Sequence, residues 1–126
     1  MVGIVLVSHS KELAEALASY TAMMAPKARV LAAGGQEDGS FGTSYDLVWD
    51  AIEEAREPDG AVVLMDAGSA VLTVKMVLED MDEENVRMAD CPFVEGAVEA
   101  TVLAQAGAGL GEIVDALAGV AAQHKL

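Results

Sequence analysis

The sequence predicts an α/β fold, with a central, mainly parallel four-stranded sheet in the order 2-1-3-4 and helices on both faces. Three observations predict it. Strand-like and helix-like segments alternate along the chain, which implies right-handed crossovers and parallel strands. Residues 2–8 (VGIVLVS) and 61–65 (AVVLM) are almost uninterrupted aliphatic runs, the pattern of strands covered on both faces. The chain has 126 residues, 53% of them apolar and only 4% aromatic. That suits one domain over residues 1–126 with a core of branched aliphatics.

Each element follows from its own signals. After the first strand, Ser10 caps a helix over residues 11–25, with Leu13, Leu17, Met23 and Met24 as its inward residues and Pro26 as its stop. Residues 28–34 (ARVLAAG) read as the second strand, followed by a glycine-rich polar loop from Gly34 to Gly42. Thr43 or Ser44 caps the next helix, whose apolar face carries Leu47, Val48, Ala51, Ile52 and Ala55. EPDG is a turn. The third strand ends at Asp66-Ala67-Gly68-Ser69, where a helix begins with Val71, Leu72, Val74, Met76 and Leu78 as its apolar positions. Residues 79–84 read as an acidic turn and 85–89 (NVRMA) as a short fourth strand. From Pro92 onward the pattern is helical in two pieces broken near Gly107–Gly111, the second marked by Ile113, Val114, Leu117 and Val120.

Composition excludes several classes. A formal net charge of -14 argues against nucleic acid and anionic membranes as partners, since both are polyanions that need Lys and Arg. The charge fits a well-solvated surface and could also steer a basic partner. No apolar run reaches the ~18 residues of a membrane span, and MVGIVLVSHS lacks the basic start of a secretion signal. A lone cysteine, Cys91, forms no internal disulfide and suits a reducing cytoplasm; it reads as a buried structural residue. The motifs HExxH, CxxC, GxxxxGK[ST], GxGxxG and GxSxG are all missing, so neither a metal, a cofactor nor an activated serine is indicated. Trp49 reads as packing and His124 as part of a fraying end.

The chemistry gathers at one place. In doubly wound sheets ligands sit at the carboxyl ends of the strands, at the point where strand order reverses. With the first and third strands central and adjacent, Ser8-His9-Ser10 and Asp66-Ala67-Gly68-Ser69 meet there. His9 can attack phosphorus through one ring nitrogen while Asp66 accepts a hydrogen bond from the other, fixing the tautomer and balancing the charge that develops. Ser10, Gly68 and Ser69, at two helix starts, can supply donors for phosphate oxygens. Plainer roles stay open on the residues alone: His9 as an ordinary strand-end residue, and Asp66 as the N-cap of the helix that follows it.

GIVLVSHS, VLMDAGSA and CPFVEGAVEATVLA resemble the phosphotransferase subunits of bacterial phosphoenolpyruvate-dependent dihydroxyacetone kinases, which are related to the mannose-family enzyme IIA domains of the sugar phosphotransferase system. The resemblance runs over essentially the whole chain. It implies an enzyme IIA-like fold, a homodimer, and transient phosphorylation of His9 at its outer ring nitrogen, with Asp66 as the orienting residue. It implies phosphorylated histidine-containing phosphocarrier protein (phospho-HPr) as donor, and ADP held by the kinase's nucleotide-binding subunit as acceptor. Two other readings are set beside it: a mannose-type sugar IIA component that passes phosphate to a IIB protein, and a non-enzymatic binding module on the same fold.

Overall fold

The computed structural model describes residues 1–126. Its elements are β1 (Gly3–Ser8), α1 (Lys11–Ala22), β2 (Arg29–Gly34), α2 (Tyr45–Ala55), β3 (Ala61–Met65), α3 (Gly68–Met81), β4 (Val86–Met88), α4 (Phe93–Gln105) and α5 (Leu110–Val120). The strands form one parallel sheet in the order β2-β1-β3-β4, as the alternation and the aliphatic runs predict.

Side-chain alternation divides the core into two layers. Ile4 and Leu6 of β1 and Val62 and Leu64 of β3 pack under Leu17 of α1 and the inner faces of α4 and α5, including Ala97, Ala100, Ile113 and Leu117. Val5, Val7 and Val63 face the other way, against Val48 and Ile52 of α2 and Ala70, Val74 and Val77 of α3. β1 is buried along its whole length, which explains why its sequence reads as a continuous apolar run.

Four expectations need correction. On α1 the buried stripe is Ala14, Leu17 and Thr21, and Leu13 lies beside it, exposed. The helix stops at Ala22, ahead of Pro26, so Met23 and Met24 fall in the following turn and are also exposed. On α3 the buried stripe is Ala70, Val74 and Val77. At 100° per residue that turns Leu72 and Met76 to solvent, where both are exposed. The same helix absorbs the first part of the acidic stretch, runs to Met81, and ends on Asp82 in the left-handed region (φ 50°). Leucine and methionine alone do not say which side of a helix is inward; the spacing of the small residues does.

The register of the sheet brings the functional rim together. Val7 lies opposite Met65 and Ser8 opposite Gly34, so the chain leaves β1, β2 and β3 along one edge. There the Asp66 N–H donates to the Val7 carbonyl (3.1 Å) and the Gly35 N–H to the Ser8 carbonyl (3.0 Å). The loop after β2 closes over this edge, with the Gly42 N–H donating to the His9 carbonyl at 2.9 Å.

Gly34 permits the approach. A Cβ at this position would lie 2.5 Å from the Ser10 carbonyl oxygen and 2.8 Å from both Ala14 Cβ and Lys11 Cα, so any side chain pushes α1 off the strand. Gly34→Ala is expected to destabilise the protein by about 1–3 kcal/mol, the usual range for overpacking. It should also shift the backbone resonances of residues 8–10 more than those of α5. Thermal denaturation and a two-dimensional amide spectrum check both parts.

Candidate functional site

The site begins with a polar residue at the end of an aliphatic strand. Ser8 is fully buried, and a buried hydroxyl needs partners. It has two: its Oγ accepts from the Ser10 N–H at 3.0 Å and donates to Asp66 Oδ2 at 2.8 Å. The next residue, His9, donates its backbone N–H to the same Asp66 oxygen at 3.0 Å. Its ring Nδ1 lies 2.9 Å from the other oxygen, Asp66 Oδ1. One carboxylate therefore holds the strand end, the ring and the buried hydroxyl.

Asp66 is oriented toward β1 and does not cap α3. The N-cap of α3 is Ala67, which makes no side-chain cap hydrogen bond. The capping role left open by the sequence is thus not the one Asp66 takes. Its side chain is 15% exposed, that of His9 31%. Burial works to raise the Asp66 pKa. The donors outweigh it: the His9 N–H, the Ser8 hydroxyl and the His9 ring, with the ring's charge adding to them, hold the carboxyl below its usual range. An ionised carboxylate facing Nδ1 accepts only, so the ring's Nδ1 carries a proton and Nε2 is the nitrogen turned away from Asp66.

Nε2 faces the hydroxyl of Ser69 at the start of α3. Gly68 and Ser69 are exposed, and a Cβ added to Gly68 would meet nothing within 4 Å. An uncapped helix start leaves amide donors free beside Nε2. An open cavity of about 280 Å³ runs along this terminus, lined in part by Asp66, Gly68, Val71 and Cys91. Ser10 hydrogen-bonds neither the imidazole nor the Asp66 carboxylate: its Oγ caps α1 by accepting from the Leu13 N–H at 3.1 Å.

Cys91 is only partly buried, less than the sequence reading expects, but burial and then the Asp90 charge push its thiol up to about 11. It is protonated at neutral pH and a poor nucleophile. Trp49 stacks on Tyr45 with ring centroids 6.1 Å apart and packs against the α2–α3 layer. His124 is exposed at the carboxyl terminus. No cluster of three or more His, Cys, Asp or Glu side chains is placed to hold a metal ion, and no helix is long and apolar enough to cross a membrane.

Fold and site together define a doubly wound α/β protein with a carboxylate-oriented imidazole at its carboxyl edge. The family model described as the PTS system fructose IIA component (EIIA-man) matches residues 3–116, and the chain belongs to that family. It is similar to the PTS-dependent dihydroxyacetone kinase phosphotransferase subunit DhaM of Lactococcus lactis, with 42% identity over 106 residues, 84% of this chain and 85% of that one. It is also similar to the PEP-dependent dihydroxyacetone kinase phosphoryl donor subunit DhaM of Providencia stuartii, with 36% identity over 122 residues. That match covers 91% of this chain but spans only 26% of the longer relative. Among solved structures, one described as a protein of unknown function superposes with a TM-score of 0.83 at 31% identity, covering 98% of both chains.

Because the folded-state pKa of Asp66 is depressed, its contribution to stability is complete above the ordinary Asp value of about 3.9. It is lost as the pH falls through the lower folded-state value. Asp66→Asn is therefore expected to cost about 1–3 kcal/mol at neutral pH and progressively less in acid. Urea unfolding of both proteins at neutral pH, and at the lowest pH where both fold, checks this; an unchanged gap would count against an ionised, paired Asp66.

Proposed function

We propose that this chain is a phosphohistidine carrier. His9 takes a phosphoryl group from phospho-HPr and passes it to ADP bound on the nucleotide-binding subunit of a dihydroxyacetone kinase, in the cytoplasm. The observation that carries this reading is the 2.9 Å pairing of His9 Nδ1 with Asp66 Oδ1, which leaves Nε2 on the rim with only the exposed Ser69 hydroxyl as partner. The names of the similar proteins, phosphotransferase and phosphoryl donor subunits of dihydroxyacetone kinases, support a role in phosphoryl transfer to such a kinase; phospho-HPr and the ADP-bearing subunit are part of this proposal.

The chemistry follows from that geometry. The Nε2 lone pair attacks the donor's phosphorus as the donor's own N–P bond breaks, and the bonding pair returns to the donor imidazole. Nδ1 keeps its proton throughout, so the phosphorylated ring carries positive charge, which Asp66 balances at hydrogen-bond distance. The same charge makes His9 a neutral leaving group in the second transfer, when a β-phosphate oxygen of ADP attacks and the N–P pair returns to Nε2. No proton has to move in either step. Incoming phosphoryl oxygens take the place of the ring opposite the Ser69 hydroxyl. They accept from Ser69 and from the amides of Gly68 and Ser69 at the uncapped start of α3. The Ser10 hydroxyl, which otherwise leans weakly on Glu12 at 3.4 Å, can turn to one of them.

Three exposed apolar side chains gain a purpose in this reading. Leu13 lies in the first turn of α1, Leu72 in the second turn of α3, and Phe41 beside the Gly42 amide that bonds His9; all three are exposed. Carried on segments that start at or near the site, they offer apolar area for a docking protein to cover. The family description, a fructose IIA component, favours as a second reading transfer to a sugar-specific IIB protein; the acceptor separates the two.

Incubation with phosphoenolpyruvate, enzyme I and HPr should add one phosphoryl group, about 80 Da, in intact-mass spectra of the wild type and none in His9→Ala. The adduct should survive base and be lost in acid. Subsequent loss of the adduct to an ADP-loaded kinase subunit, and not to a IIB protein, is the expected outcome. A charged donor that leaves the wild type unmodified would sink the carrier reading.

A further inference from the structure

We infer that Ser8 is a positioning residue for phosphoryl transfer: its buried hydroxyl fixes the Asp66 carboxylate so that His9 is held with Nδ1 protonated and Nε2 turned to the rim, toward Ser69. This builds on the carrier reading but concerns a residue that takes no part in bond making.

The direction of the hydrogen-bond chain carries the inference. The Ser10 N–H can only donate, and it points at Ser8 Oγ from 3.0 Å. The one hydrogen of Ser8 is therefore free for its other neighbour, Asp66 Oδ2, at 2.8 Å. That oxygen also receives the His9 N–H at 3.0 Å. With Oδ2 filled by two donors, Oδ1 is the oxygen left for the ring, and it sits 2.9 Å from Nδ1. The carboxylate is thus set against rotation by donors from Ser8, the last residue of β1, and from His9 after it, and each bond polarises the next.

The serine is placed where nothing else would do this. Ser8 is fully buried at the last position of a strand whose other residues are Gly, Ile, Val and Leu. It is the one side-chain hydroxyl that donates to Asp66. It also links that carboxylate to the start of α1, since the amide that it accepts from belongs to the α1 N-cap, Ser10. Without the hydroxyl, Asp66 loses one of the donors that lower its pKa, and Oδ2 gains freedom to turn toward the ring or to bind a proton.

The test compares wild type, Ser8→Ala, Ser8→Cys and Ser8→Thr. Ser8→Cys keeps the shape while replacing a strong donor with a weak one, and Ser8→Thr keeps the hydroxyl. The readouts are the 13C titration of the Asp66 carboxyl, the 15N shifts of the His9 ring, and the rate of phosphoryl uptake from phospho-HPr. Ser8→Ala and Ser8→Cys should raise the Asp66 titration midpoint, mix the His9 tautomers, and slow uptake by about 10-fold or more, the scale usual for partners one shell behind a reacting ligand. Ser8→Thr should restore all three. If Ser8→Ala does not fold, the cysteine variant decides. A folded Ser8→Ala or Ser8→Cys protein with wild-type titration, tautomer and uptake overturns the inference. Should the wild type take no phosphate, the carrier reading fails, while the Asp66 and His9 spectra still decide the positioning role.

Discussion

A carboxylate has two oxygens and needs donors for both when it leaves water, and at Asp66 those donors come from the last residue of β1 and the residue after it. Its Oδ2 receives the Ser8 hydroxyl and the His9 amide, while Oδ1 faces the His9 ring. The turn after β3 is thereby tied to the end of β1 by side-chain bonds that continue the backbone ladder, where the Asp66 N–H already meets the Val7 carbonyl. Orientation of the imidazole, ionisation of the carboxyl and exposure of Nε2 all follow from this one arrangement. Removing either oxygen strands a donor in a partly dry setting, which costs more than the bond itself contributes.

The surroundings serve that arrangement. Gly34 lets α1 start close against β2, which brings the Ser10 amide to Ser8. The small residues Ala70, Val74 and Val77 bring α3 down on the sheet, so its uncapped first turn arrives beside Nε2. The glycine-rich loop is held over the rim by the Gly42 amide, and by the Thr43 hydroxyl, 2.8 Å from that of Thr73. The proposed carrier role would need little more than this: one ring nitrogen on the rim, a counter-charge behind it and donors in front.

Much of this is legible in the chain, and the limits have physical causes. The strand order follows from the aliphatic runs of β1 and β3, because only central strands are dry on both faces. The meeting of His9 with Asp66 follows from the strand order. The helix faces were harder to read. Leu13, Leu72 and Met76 are large and apolar, so they look like core, yet the core side is set by Ala14 and Ala70, where the sheet is nearest. Ser8 left a signal that composition alone undervalues: a hydroxyl closing an otherwise apolar run must find buried partners, and its partners are the site. The role of Asp66 could not be separated from helix capping by sequence, since both place an aspartate just ahead of a helix; the difference lies in which way the side chain turns.

The parallel register between β1 and β3 also governs when the site comes into being. Parallel neighbours cannot be joined by a hairpin, and here the intervening chain includes α1, β2 and α2. His9 and Asp66 meet only after that long loop closes, a step whose entropic cost makes such pairings late events in folding. Neither a nascent chain nor a partly unfolded one contains the oriented imidazole, so under the proposed function neither would take phosphate from a donor. The oriented His9–Asp66 pair is thus a property of the finished sheet and of no smaller part of the chain.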